Sequence, residues 1–230
     1  MLHVSRLKAE AGALYENVLL MRAFAEQQQE QIQDYSKNLE KYIKEEEIET
    51  IITGRENKDE IEKLPARHIA GVFEHNLDLT ATFEGVMPIY QNQATLISLW
   101  STFESGTFLV AQSLSAEKNT RLRRKESGIS SVAHYLNEID RLGLKHRNQR
   151  MYRTDCEFLS LIVGRIRNAW VHNGGRCKNK SVSEIVRKDS DLLVRNNLIK
   201  INHSFLFRVI ESMRSISEEI YLLSSRQRNV

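Results

Sequence analysis

The feature that most restricts the fold is a stripe of apolar residues spaced alternately by four and three along the N-terminal part of the chain. This is the spacing of the a and d positions of a heptad repeat, so it predicts one long helix over residues 5–52, ended by Thr53 and Gly54. Gln28 interrupts the stripe. Such a stripe must pack against another helix, in the same chain or in a partner. Its members are Leu7, Ala11, Leu14, Val18, Met21, Ala25, Ile32, Tyr35, Leu39 and Tyr42.

The rest of the chain also favours helix. Only 2 Pro and 10 Gly occur in 230 residues, so few positions suit strand ends and tight turns. We expect helices at about 57–84, 89–114, 129–142, 151–172 and 203–224. We expect a loop at 115–128, irregular chain at 176–197 and a short strand at 198–202. The predicted fold class is therefore all-α, with a helical bundle over residues 56–230 and a long helical extension over residues 1–55.

Charge is divided unevenly along the chain. Residues 1–115 carry 10 Lys and Arg against 18 Asp and Glu, whereas residues 116–230 carry 23 against 12. A basic half beside an acidic half favours a polyanionic partner, although solvated helix faces explain the same charges equally well. No apolar run approaches the roughly 18–20 residues of a membrane span, and no signal peptide is evident. We therefore expect no membrane partner, and two free thiols, Cys156 and Cys177, in a cytoplasmic, reducing location.

The segment with the most chemical information is 157–175, with the sequence EFLSLIVGRIRNAWVHNGG. At about 100° per residue, its apolar side chains share one broad arc, while Ser160, Gly164, Arg165, Asn168 and His172 lie on the other. A glycine in mid-helix costs roughly 1 kcal/mol relative to alanine. We expect Gly164 to allow another backbone or a ligand to approach that face closely.

Arg167 and His172 lie about 140° apart around this helix and flank its polar face. They would not easily touch within one chain, but two such helices packed around a two-fold axis could bring the arginine of one near the histidine of the other. His172 occupies the last turn, where the helix dipole favours the imidazolium form. The simpler interpretation is a surface arginine and a helix-capping histidine.

The run from Arg167 to His172, RNAWVH, followed by Asn173-Gly174-Gly175, resembles the Arg-x4–6-His signature of the HEPN superfamily. These are all-helical domains of prokaryotic toxins, antiviral systems and CRISPR effectors. The order of elements is also similar: a central apolar helix with an acidic residue, Glu104, then a variable insert, the motif helix, a short LIKIN segment and a final amphipathic helix. The resemblance covers roughly residues 66–225 and leaves 1–55 outside.

This resemblance implies a metal-independent endoribonuclease that acts as a homodimer on RNA, in a toxin or antiviral-defence role, without metal or cofactor. It implies that His172 is the general acid or base and Arg167 the phosphate clamp. Asn168 would orient the imidazole or hold a phosphate oxygen, and Glu104 would position an arginine. Side chains expected to bind the RNA backbone are Arg150, Arg153, Arg165, Arg176 and Lys178.

Two other functions remain open from the sequence. A non-catalytic HEPN domain would bind RNA or a nucleotide without cleaving it. A helical protein-interaction module would instead act through the stripe in residues 5–52, which could also bind an antitoxin or another protein partner. No tight pair among the seven histidines suggests a zinc site.

Overall fold

A computed structural model of the chain describes residues 5–53, 59–144, 149–195 and 197–226. Most of these residues are helical. The helices are α1 (Arg6–Asn38), α2 (Met87–Glu117), α3 (Ser131–Arg141), α4 (Gln149–Glu157), α5 (Gly164–Asn173), α6 (Lys180–Lys188) and α7 (His203–Arg226). The strands are β1 (Lys44–Thr53), β2 (Asp59–Ile69), β3 (Val72–Phe73), β4 (Leu192–Arg195) and β5 (Leu198–Ile201). In the part of the chain described, no helix is both long and apolar enough to cross a membrane.

The chain divides into two compact units, which are described separately. The first comprises Met1–Glu26 and Asn92–Val230, and the second is Gln27–Gln91. The boundary predicted at residues 55 and 56 lies outside the described residues. In the sequence, the second unit is inserted into the first. The division falls within α1, after Glu26, and within α2, before Asn92, so each of these helices belongs partly to both units.

In the first unit, the apolar stripe of α1 packs within the chain. Leu7, Leu14 and Val18 are buried, and a Cβ at Gly106 of α2 would lie 2.6 Å from Leu14 Cδ1. The absent side chain at Gly106 therefore lets α1 and α2 approach closely. On another face of α1, the ring of Tyr15 stacks on Tyr221 of α7, with centroids 6.1 Å apart. The predicted helix partner of the stripe is thus supplied, for this stretch, by α2 and α7.

The second unit contains a β-hairpin where helix was predicted. Strands β1 and β2 pair antiparallel, from Lys44 opposite His68 to Thr53 opposite Asp59, and β3 pairs with the end of β2. The helices predicted over 39–52 and over most of 57–84 are therefore wrong. Ile and Thr at 48 and 50–53 are β-branched and favour extended chain, which the apolar spacing alone did not reveal. A small core supports the hairpin, formed by Leu39, Ile69, Leu79 and Phe83.

Most of the other predicted helices and strands are present in the structure. The helices predicted at 129–142, 151–172 and 203–224 and the strand at 198–202 are confirmed, each within a few residues. The irregular chain predicted at 176–197 is wrong, because Asn179 caps α6 by accepting a hydrogen bond from the Ser181 N–H, and β4 pairs with β5. The chain is mostly helical, which confirms the predicted helical class, and two small antiparallel sheets accompany the helices.

The end of α5 offers a test of this packing. Gly174 and Gly175 both have positive φ, +57° and +74°, but a Cβ at Gly174 meets nothing within 4 Å, whereas one at Gly175 would lie 2.6 Å from the Trp170 ring. Gly174→Ala should cost roughly 1–2 kcal/mol, the strain of a left-handed residue. Gly175→Ala should cost a further ~1–3 kcal/mol because the ring must move. Urea unfolding of both variants measures the difference, and equal losses would contradict the close contact with Trp170.

Candidate functional site

The segment singled out from the sequence forms one continuous helix. Helix α4, a π-helical segment over Phe158–Val163 and α5 follow one another without a break, and Gly174 ends the run in the left-handed conformation. Gly164 is buried, and a Cβ there would lie 3.2 Å from Cη2 of Trp100 on α2. The close neighbour of Gly164 is therefore the indole ring of Trp100, and not the backbone or ligand that the sequence predicted.

The polar face of this helix lies at the surface. Arg165, Asn168 and His172 are exposed, and Arg167 is half-buried. Arg167 Nη1 donates a hydrogen bond to Asn168 Oδ1 over 3.0 Å. Arg167 Nε is buried and has no hydrogen-bond partner among the described residues. The guanidinium thus keeps donor capacity for a further acceptor.

Two clefts lined by residues of the 167–172 run border this face. The larger, about 630 Å³, is called the Arg167 cleft and is lined by Arg167 together with Trp100, Glu104, Lys125, Asn137 and Leu161, among others. The smaller, about 320 Å³, is called the His172 cleft and is lined by His172 together with Asn173, Arg176, Asn179 and Ser181, among others. Arg165 and Asn168 line both clefts. Within one chain, therefore, Arg167 and His172 do not share a cleft.

Glu104 lies in the Arg167 cleft, and no arginine of the described residues pairs with it. Its Oε2 accepts a hydrogen bond from Trp100 Nε1 over 3.1 Å. Among the described residues it forms no ion pair, with Arg167 or with any other cation. The structure therefore brings Glu104 and Arg167 to the same cleft without a direct bond between them.

The remaining predicted RNA-binding residues fall into two groups, one at or beside the His172 cleft and one on α4. Arg176 lines the His172 cleft, and Lys178 is exposed two residues further on. Arg150 and Arg153 are exposed on α4 and line neither cleft. The structure thus collects Arg165 and Arg176 around the motif helix and leaves the α4 arginines apart from both clefts.

Sequence reasoning missed one wall of the Arg167 cleft. Lys125, Gly128, Ile129 and Ser130 line it from the segment that joins α2 to α3, for which the sequence predicted a loop over 115–128 and no role in the site. Ser130 caps α3, because its Oγ accepts a hydrogen bond from the Ala133 N–H. The Ser-Ser-Val-Ala run at 130–133 carried that capping signal.

A buried carboxylate fixes this joining segment. Glu138 of α3 accepts hydrogen bonds from Arg141 Nη2, at 2.7 Å, and from the backbone N–H of Arg123, at 3.0 Å. Arg141 Nη2 also lies 3.4 Å from the Arg121 carbonyl oxygen. The hydrogen bond from Arg141, with that from Arg123, lowers the pKa of Glu138 from 4.5 to about 2 despite burial. Glu138 therefore holds the segment that carries Lys125 to the cleft.

Among the described residues, no group of three or more His, Cys, Asp or Glu side chains could hold a metal ion. Comparisons of the chain with protein-family models, with curated proteins and with solved structures give no match.

Glu138 should make stability depend on pH in the acid range. Its pKa in the folded chain is below the ordinary value, so its contribution is present above about pH 4.5 and is lost as the pH falls towards about 2. Glu138→Gln should lower the free energy of unfolding by roughly 1.5–3 kcal/mol at pH 7, the range for hydrogen bonds to a charged group. Urea unfolding at pH 7 and at pH 3 should show this difference shrinking at the lower pH.

The matched control is Glu126→Gln, in the same joining segment, where the side chain is exposed. It should change the free energy of unfolding by less than about 0.5 kcal/mol, as for an ordinary surface substitution. If the two variants behaved alike at pH 7, Glu138 would not be the residue that anchors the segment.

Proposed function

We propose that the chain is a metal-independent endoribonuclease in which Arg167 of one copy acts with His172 of a second copy. The observation that carries the proposal is the half-buried Arg167 guanidinium, whose Nε has no partner among the described residues, in a polar cleft beside the exposed Asn168. The resemblance to the HEPN signature supports the same residues and favours a toxin or antiviral-defence effector.

The chemistry needs no metal. RNA carries its own nucleophile, the 2′-hydroxyl, which attacks the neighbouring phosphorus once its proton is removed. The bond to the 5′ oxygen of the next nucleotide breaks, and that oxygen takes a proton, which leaves a 2′,3′-cyclic phosphate and a free 5′-hydroxyl. His172 would transfer one of these protons, and Arg167 would stabilise the charge that builds up on the phosphoryl oxygens.

A second copy is part of the proposal because one chain places Arg167 and His172 in separate clefts. The exposed part of α5 also carries an apolar side chain outside both clefts, since Val171 is 43% exposed. Two copies that meet there around a two-fold axis would cover Val171 and oppose an Arg167 cleft to a His172 cleft. This supports a homodimer with composite sites.

Removal of either reacting side chain should abolish cleavage. The purified chain should cut single-stranded RNA in the presence of EDTA, and Arg167→Ala or His172→Ala should lower the rate by at least about 100-fold, the usual contribution of acid–base or charge-stabilising groups. A fluorogenic RNA measures the rate, and the product ends should be cyclic phosphate and hydroxyl.

Controls for these variants are Arg187→Ala and His75→Ala, since both side chains are exposed and line neither cleft. They should keep the full rate. Undiminished cutting by Arg167→Ala and His172→Ala would refute the proposal. Salt-sensitive RNA binding without cutting by the unmodified chain would leave only the alternative of a non-catalytic RNA-binding domain.

Mixing the two inactive variants tests the second copy. In a dimer of Arg167→Ala with His172→Ala, one of the two composite sites keeps both side chains and the other has neither. After free exchange of subunits, half of the dimers are mixed, so about a quarter of the unmodified rate should return. No recovery despite exchange, shown by a light-scattering or labelled-subunit assay, would mean that the two side chains act from the same copy.

A further inference from the structure

Glu104 is an unusual group in its surroundings. It is a carboxylate in the basic unit of the chain, in a cleft whose other charged side chains, Lys125, Arg165 and Arg167, are cations. It forms no ion pair among the described residues, and the Trp100 indole N–H fixes it through Oε2. A carboxylate has about four acceptor positions, so several stay open for a ligand. An anion bound to these cations would leave the Glu104 acceptors unused, so the cleft suits a ligand that carries hydrogen-bond donors as well as negative charge.

The cleft supplies the other parts that a nucleotide needs. Its volume of about 630 Å³ lies within the range of small-molecule sites. Leu161, 53% exposed, and Ile129 offer apolar surface for the face of a base, and the Arg167 guanidinium can bind a phosphate or stack on the base. Asn137 lines the same cleft, and its amide forms no hydrogen bond within the described chain. Charge, apolar surface and hydrogen-bonding groups are therefore all present together.

We propose that the Arg167 cleft binds a guanine ribonucleotide of the RNA substrate, with Glu104 as the residue that determines the choice of base. This rests on the proposed function, since it assigns the substrate of the same site. Guanine presents two adjacent N–H donors, N1–H and the 2-amino group, which match the acceptor oxygens of one carboxylate. Its O6 next to them accepts from an amide such as that of Asn137. The phosphate is bound by Arg167 and Lys125.

The other bases fit this arrangement less well. Adenine and cytosine each place a ring-nitrogen acceptor beside their amino group, and uracil places a carbonyl on each side of its single N–H. Each therefore turns a lone pair towards the Glu104 carboxylate. A site built to accept hydrogen bonds rejects ligands that lack the matching donors, because its polar groups are then left unpaired. The cleft should therefore distinguish guanine from all three.

The test is calorimetric titration of the whole chain with guanosine, inosine and adenosine 3′-monophosphates. Guanosine monophosphate should bind at least about tenfold more tightly than inosine monophosphate, which lacks only the 2-amino group, because a hydrogen bond to a charged acceptor is lost. Adenosine monophosphate should bind more weakly again. Equal affinities for guanosine and adenosine monophosphates would overturn the proposal.

Substitution of Glu104 tests whether its carboxylate determines the preference for guanine. Glu104→Gln keeps the size of the side chain and an oxygen for the Trp100 indole, but it should reduce the guanosine-to-adenosine ratio of affinities by at least about tenfold. Glu117→Gln, an exposed residue at the end of α2, should leave the ratio unchanged. If Glu104→Gln kept the full ratio while its circular dichroism and unfolding curve matched the unmodified chain, the base would be chosen elsewhere and the proposal would fail.

A second experiment distinguishes binding of RNA from binding of a free nucleotide. It also distinguishes a preference for guanine from RNA cleavage. An uncleavable oligoribonucleotide with 2′-deoxy substitution at one guanosine should bind more tightly than its inosine counterpart; no difference would mean that only free nucleotide occupies the cleft, against the proposal. Guanine preference in a chain that cuts no RNA would support the binding site and refute the nuclease. Cutting without any guanine preference would refute the base assignment alone.

Discussion

The arrangement of the candidate site depends on the contact between Gly164 and Trp100. A Cβ at position 164 would lie 3.2 Å from the indole ring, so a larger residue would force the ring to shift by a few tenths of an ångström. The same indole donates to Glu104, which places that carboxylate in the cleft with Arg167. A mid-helix glycine costs about 1 kcal/mol relative to alanine, and here the cost is offset by the packing of a large buried aromatic side chain.

Two carboxylates beside the Arg167 cleft have opposite environments, and the difference separates a structural role from a binding role. Glu138 is buried and takes hydrogen bonds from Arg141 and from the Arg123 backbone, so its acceptor capacity is used inside the fold. Glu104 is only partly buried, and among the described residues its carboxylate accepts a hydrogen bond only from the neutral Trp100 indole. A carboxylate satisfied by cations stabilises the chain, whereas one held in place without a cation is available to a ligand.

Sequence periodicity predicted those elements whose apolar residues face a core of the same chain. The helices ending at Gly143 and Gly174 and the final helix from His203 were found because both their apolar spacing and their end signals agree with the fold. The hairpin of β1 and β2 was missed, since its strand pairing is a nonlocal interaction that the apolar spacing up to Tyr42 does not contain. Helix α6, capped by Asn179, was missed because the polar composition of its segment predicted irregular chain.

The site shows the same division between what one helix determines and what several elements determine together. The angle between Arg167 and His172 follows from the helix alone, and the structure places them in separate clefts accordingly. The presence of Lys125 and Glu104 beside Arg167 depends on α2, α3 and the segment between them, which no local pattern relates to the motif.

The distribution of charge is likewise a property of a whole unit and not of one helix. The unit with the motif holds 26 Lys and Arg against 16 Asp and Glu, and the inserted unit holds 7 against 14. A polyanion is therefore attracted to the motif-bearing unit as a whole, while discrimination between one anion and another must come from the few polar groups that the clefts bring together.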